Sequence, residues 1–201
     1  MTEPPQLRSE RLLLRGWRES DREPFARINA DTEVARFLPQ TLARRDSDQL
    51  IASFQSHLRR HGFGLWAVSR AGADDRLIGF VGLNVVSFKA HFTPAVEVGW
   101  RLQRSAWGRG YATEAAREAL RFGFEQVGLT EIVALTVPAN RRSRAVMERI
   151  GMTHEERDDF DHPRVAPGSE LRRHVLYRMS AKRFPSQRAG SSTRRRSSAT
   201  R

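Results

Sequence analysis

The segment from Ala95 to Val127 constrains the fold more than any other stretch of this chain. Residues 95–102 alternate. Val96, Val98, Trp100 and Leu102 face one side, and Ala95, Glu97, Gly99 and Arg101 face the other. That is the period of a strand with one face buried. From about Tyr111 the period changes, and Ala112, Ala115, Ala116, Ala119, Gly123, Phe124 and Val127 fall on one helical stripe. Between the two, Gly108 and Gly110 let the chain turn tightly and let a ligand approach the backbone. A glycine turn between strand and helix presents backbone N–H groups at the positive end of the helix, which suits a phosphate. Arg104 and Arg109 can add charge, and the small residues let the helix lie close on a sheet. Many such turns bind nothing, so the turn alone names no ligand. It is neither the six-residue dinucleotide fingerprint nor a Walker motif, since position 113 is Thr and no Gly-Lys-Ser/Thr is present.

The flanking segments predict a mixed α/β or α+β sheet covered by helices. Residues 11–15 read as a short strand. Ser20–Asp21–Arg22–Glu23 reads as a capping box opening a helix to about Asn29. A second helix is expected over about 46–60, with Leu50, Ile51, Phe54 and Leu58 on one face and Gly62 closing it. Residues 63–69 and 77–86 read as strands joined by a turn at 71–75. Residues 132–137 form a β-branched strand. Asn140 can cap a helix that ends at Gly151, and final strands are expected near 153–159 and 174–179.

The 201 residues suit one domain, 7–184, followed by a basic tail, 185–201. That tail holds five arginines, no acid and nothing apolar to bury, so it is expected to be disordered. It accounts for five of the +12 net charges. The remaining excess suits a polyanionic cofactor or an ordinary basic protein; nucleic acid is not an expected partner, beyond a weak contact that the tail could make. No cysteine is present, which excludes disulfides, cysteine zinc sites and thiol nucleophiles. The six histidines show no metal-ligand spacing, so no metal is predicted. Residues 1–6 do not read as a signal peptide, and no apolar run nears the roughly 18–20 residues of a membrane span. The expected location is the cytoplasm.

Five motifs in order carry a resemblance. They are Leu7-Arg-Ser-Glu-Arg-Leu-Leu-Leu-Arg15, Glu97-Val-Gly-Trp100, Trp107-Gly-Arg-Gly-Tyr-Ala-Thr-Glu-Ala115, Asn140-Arg-Arg-Ser143 and Met147-Glu-Arg-Ile-Gly-Met152. Over about residues 7–180 the chain resembles the GNAT superfamily of N-acetyltransferases, in its ribosomal-protein N-terminal acetyltransferase-like (RimJ/RimL-type) branch. The resemblance implies a mostly antiparallel sheet of about six or seven strands, flanked by about four helices. The fourth and fifth strands, 95–102 and 131–137, should splay apart. It further implies acetyl-CoA as acyl donor. The pyrophosphate would rest on Trp107, Gly108, Arg109, Gly110, Tyr111, Ala112 and Thr113. The pantetheine arm would pair with backbone of Val98, Trp100 and Leu102, and Asn140 would hold the arm from the second strand. The family reads Gln/Arg-x-x-Gly-x-Gly/Ala at the turn. Trp107 departs from its first position, while Gly110 and Ala112 keep the fourth and sixth.

The implied reaction moves an acetyl group to a primary amine, a protein N-terminus or a small molecule, by direct attack in a ternary complex. Glu97 is the expected base, acting through water, and its plain alternative is a solvated or salt-bridged strand residue. The Val98 N–H is the expected oxyanion donor. The Tyr acid of many relatives falls at Met147, which cannot donate a proton. Ser143, one turn earlier, is the expected replacement. His162 reads as a surface loop histidine that could reach substrate, and His174 as a structural one. Phe37, Leu38 and Trp66 could line an acceptor pocket. Met147 also motivates a rival reading, a catalytically silent acyl-CoA-binding or sensing protein. The chain is expected to be a monomer or a homodimer.

Overall fold

The computed structural model describes residues 5–72 and 75–185. Nine strands build one sheet. They are β1 Leu7–Arg8, β2 Leu12–Arg15, β3 Leu65–Arg70, β4 Leu77–Val85, β5 Val96–Leu102, β6 Glu131–Thr136, β7 Thr153–His154, β8 Phe160–Asp161 and β9 Arg173–Ser180. The order is β1-β2-β3-β4-β5-β6-β9-β7, with β8 on β9, and every pair is antiparallel except β5 with β6. Five helices accompany them: α1 Arg22–Ala30, α2 Thr32–Ala35, α3 Arg44–His61, α4 Tyr111–Glu125 and α5 Arg141–Arg149. The mixed sheet flanked by helices is the expected architecture, with more strands than expected. β1 and β8 are additional, and the single strand expected at 153–159 is only β7 followed by a 3-10 turn. Residues 73–74 of the expected turn and 186–201 of the expected tail lie outside the described residues.

The two faces of the sheet have different cores. On one, Trp17, Phe25 of α1, Phe54 of α3 and Phe80 of β4 pack ring against ring at 4.9–6.2 Å. On the other, α4 lies against β4 and β5. A Cβ added at Gly123 would come within 2.7 Å of Ile132 Cδ1 and 2.9 Å of Leu83 Cδ1, so glycine is what lets α4 sit this close. Of the stripe read from the sequence, Ala115, Ala116, Ala119 and Gly123 are buried, with Leu120 added; Ala112 and Phe124 are part-buried, and Val127 lies past the helix end. Trp66 is fully buried on the α4 side, edge-on to Phe122, with its indole N–H bonded to Pro5 O. It therefore belongs to the core and lines no acceptor pocket.

The start of α1 differs from the expected capping box. Ser20 caps nothing there. The Asp21 carboxylate accepts the Arg18 N–H (2.8 Å) and a bidentate pair from Arg15 (2.7 and 2.9 Å). Arg15 is 1% exposed, and an unpaired cation there would carry a heavy desolvation penalty, so it claims the carboxylate. Asp75 completes the cluster, bonded by Arg15, Arg18 and Ser69. Burial pushes the Asp75 carboxyl up, and the bonds from Ser69, Arg18 and Arg15 more than offset that, bringing it to about 2. A depressed carboxylate stabilises the fold above its unfolded value, 3.8, and that stabilisation is lost as pH falls through about 2. Denaturant midpoints should therefore drop across that window, and Asp75→Asn should flatten part of the drop.

Candidate active site

β5 and β6 run parallel and share a single registered pair, Glu97 with Val133. β5 continues to Leu102 and β6 to Thr136 without further pairing, so a gap opens between them. Bonds from Gln103 N to Ile78 O (2.9 Å) and from Val86 N to Ala95 O (3.0 Å) fix the alternation on β5. Odd-numbered residues bond β4, and Val98, Trp100 and Leu102 turn their backbone toward the gap. Those are the three residues expected to face it. The register puts the last inter-strand contact at Val98, so the first β5 amide beyond the pairing is that of Trp100. This shifts the expected oxyanion donor from Val98 to Trp100. The Leu102 carbonyl already accepts the Trp107 indole N–H at 2.8 Å.

At the open end of the gap, Gly108 (φ 73°) and Gly110 (φ 79°) adopt the left-handed conformation that glycine favours. Among the described residues, the amides from Gly108 to Thr113 donate to no protein acceptor. Six free N–H groups therefore stand on the turn and the first turn of α4, and donors at a helix start suit an anion. The turn is held from outside. Arg11 donates to Arg109 O (3.1 Å) and pairs with Glu114, which also accepts from Ser9 and the Arg11 N–H. Burial pushes the Glu114 carboxyl up, and these bonds outweigh it and hold it below its ordinary value.

Asn140 and Ser143 stand across the gap, where β6 passes into α5. The Asn140 side chain accepts the Ser143 N–H (3.2 Å) and donates to Thr136 Oγ1 (3.0 Å) and Ser143 Oγ (3.1 Å). Ser143 Oγ thus accepts, and its own proton remains free to donate. Asn140→Ala should lower stability by about 1 kcal/mol through loss of this cap, read from denaturant unfolding. Arg142 lies over the Trp107 ring, 4.6 Å from its centroid, so that one contact spans the mouth. Beside it opens a shallow cavity of about 510 Å³ lined by Asp31, Glu33, Arg104, Ser105, Trp107 and Arg142. Met147 is buried in the main core, so the Tyr position of relatives is here a packing position.

Glu97 sits at the closed end of the gap, on the face carrying α1 and α3. Water reaches it, yet protein surrounds most of it, and burial pushes its carboxyl up. Asn84 Nδ2 bonds Oε1 at 3.2 Å and opposes that rise only in part. No ion pair involves Glu97 among the described residues, so it is not a salt-bridged strand residue. A second apolar cluster, Val86, Phe92, Val133, Phe160 and Leu176, floors this side. His162 is not a free surface histidine. It packs 4.5 Å from the Phe88 ring and 5.0 Å from His174, and burial pushes both imidazoles down. Arg164 ties their loop to Ser87. The sequence reading missed Asn84 and Arg101, both of which share Glu97's face.

The acetyltransferase (GNAT) domain family matches residues 11–153, which span the gap, the glycine turn and both banks. The chain belongs to the GNAT acetyltransferase family. A relative is the FsC-acetyl coenzyme A-N(2)-transacetylase of Aspergillus fumigatus, 38% identical over 115 residues, 54% of this chain. The match spans 47% of that relative's length. Among solved structures, a GNAT acetyltransferase from Bacillus anthracis superposes with a TM-score of 0.73 at 25% identity, over 89% of this chain and 99% of that one. RimJ of Mycobacterium smegmatis, solved in complex with CoA-disulfide, shares the fold with a TM-score of 0.68 at 23% identity, over 90% and 88%. Other GNAT structures share the fold in the same way. Among the described residues no group of three or more His, Asp or Glu could hold a metal, and no helix is long and apolar enough to cross a membrane.

Proposed function

We propose that this GNAT protein transfers an acetyl group from acetyl-CoA to a primary amine, with the amine bound on the Glu97 face of β5. The observation that carries the reading is the row of unbonded amides from Gly108 to Thr113 at the open end of an unpaired strand edge. A diphosphate fits the amides, and an amide-bearing arm fits the backbone of Trp100 and the Leu102 N–H. A relative named for acetyl-CoA use and a neighbour solved with CoA-disulfide support that donor.

The bound thioester supplies an acyl carbon and a thiolate leaving group. Glu97 takes a proton from the acceptor's ammonium, directly or through a water, and the free amine so formed attacks, since only it has a lone pair. Its raised carboxyl brings it nearer the range in which a base works at neutral pH. The Trp100 N–H faces the developing oxyanion. The new C–N bond forms as the C–S bond breaks, and Ser143 can relay the surplus proton, accepting it from the acylated nitrogen, directly or through water, as its own hydroxyl proton passes to the thiolate. Its hydroxyl proton is the one left free by Asn140.

Incubation with acetyl-CoA and a panel of amino-terminal peptides, polyamines, amino acids and amino sugars tests this. Thiol release matched by an acetyl mass shift on one amine class is expected. Binding of acetyl-CoA with no transfer across the panel would instead favour a silent sensor.

A further inference from the structure

We infer that the acceptor carries a carboxylate, and that Arg101 holds it while the amine lies beside Glu97. The inference rests on the acetyl-transfer reading for the role of Glu97, and on Arg101's own surroundings for the rest. Glu97, Gly99 and Arg101 point the same way from β5, opposite Asn84, Gly82 and Phe80 of β4. The row therefore reads carboxyl, open space, cation. A Cβ built at Gly99 would touch nothing within 4 Å. The missing side chain leaves room over the strand between the two charged groups.

Arg101 is part-exposed, with protein around most of it, and it lacks the counter-charge that an arginine so placed normally has. Its guanidinium lies 5.5 Å from the Phe80 ring centroid, and Nη1 donates to Asn29 Oδ1 at 2.6 Å. Asn29 is itself buried and held by a bond from its Nδ2 to Ser47 Oγ at 2.8 Å. Among the described residues no carboxylate lies within ion-pair distance of Arg101. Desolvation alone lowers its pKa, to about 10, with no acid opposing the fall. Contrast Arg15, whose burial is answered by Asp21 and Asp75. A cation largely surrounded by protein without a counter-charge is unfavourable, and a ligand anion at its open side would supply one. The guanidinium also keeps donors in reserve. Nε and Nη2 make no bond to protein, and neither is among the sealed, unbonded polar atoms. They face open space as two edges of a fork that matches a carboxylate.

Four residues of strand separate the Cα atoms of Glu97 and Arg101 by about 13 Å. Side chains of unequal length stand on those two positions, so a series of ω-amino acids of graded length reads the span between amine and carboxylate.

The test uses ω-amino acids from glycine to 6-aminohexanoate, each against its neutral primary amide. Both are measured for acetyl transfer and for binding to the CoA-loaded protein by calorimetry. The carboxylate form of at least one length should be preferred about ten- to hundredfold in kcat/KM and in affinity. Arg101→Gln should bring that ratio close to one, and Arg101→Lys should restore part of it. A merely structural role would depress both members of each pair together and leave the ratio intact. Equal binding of acid and amide at every length, or an unchanged ratio in Arg101→Gln, would overturn the inference. Transfer to amides without carboxylate preference would sink the inference alone. Preferential carboxylate binding with no transfer to any amine would sink the acetyl-transfer reading alone.

Discussion

Glu97→Gln should lower kcat by about 10²- to 10⁴-fold, the usual range for removing a positioned base. Acetyl-CoA affinity should stay the same, because the glutamate lies on the face away from α4 and the amide cradle. The pH profile carries more information than the size of the loss. Burial raises the Glu97 carboxyl above its ordinary range. Wild-type kcat/KM should therefore climb with pH through that raised value, and the Gln variant should lack that limb. Stability should move the other way. The folded state binds the Glu97 proton more tightly than the unfolded chain does, so Glu97 stabilises the fold at low pH. That contribution is lost as pH rises through the folded pKa. Above that window Glu97→Gln should be at least as stable as wild type in denaturant. A variant that lost activity and stability together at neutral pH would mark Glu97 as structural.

Gly110→Glu should weaken acetyl-CoA binding by about a hundredfold or more with the fold retained. Two effects separate here. The first is strain, since φ of 79° is left-handed and a side chain there costs about 1–2 kcal/mol. The second is charge, since a carboxylate beside the free amides occupies the place of a phosphate. Space is not the obstacle. An added Cβ meets only Arg11 Nη2, at 3.5 Å, an ordinary contact. Gly110→Ala carries the strain without the charge and should lose far less affinity. Thermal unfolding reads both variants. At about 100 times its Kd, acetyl-CoA stabilises a protein that binds it by about 2.7 kcal/mol, and Gly110→Glu should gain nothing at the same concentration.

The unit from Ala95 to Val127 was legible because its period changes from two to 3.6 across two glycines. Register and backbone polarity are tertiary, and so less was legible there. The alternation placed Val98, Trp100 and Leu102 on one edge. Only the Glu97–Val133 pair reveals that Val98 is still engaged and Trp100 is the first free amide. Ser20 and Asp21 are both competent caps, and the choice between them falls to Arg15, whose burial no local pattern shows. β1 and β8 hold two residues each, too few for any periodicity to register. The four-residue α2 follows from the Asp31 cap, which accepts from Glu33 and Val34, a signal present in the sequence and overlooked. Arg101 had the right parity beside Glu97. Its lack of a carboxylate depends on α1 presenting Asn29 there, which sequence alone does not show.

The central claim is that the gap between β5 and β6, closed at Glu97 and ended by the glycine turn, takes an acyl-CoA. Calorimetric titration of acetyl-CoA into the purified chain tests it most directly. The account predicts one saturable site per chain, lost in Gly110→Glu and kept in Glu97→Gln. An absence of heat with the wild type, or the same isotherm with Gly110→Glu, would contradict it.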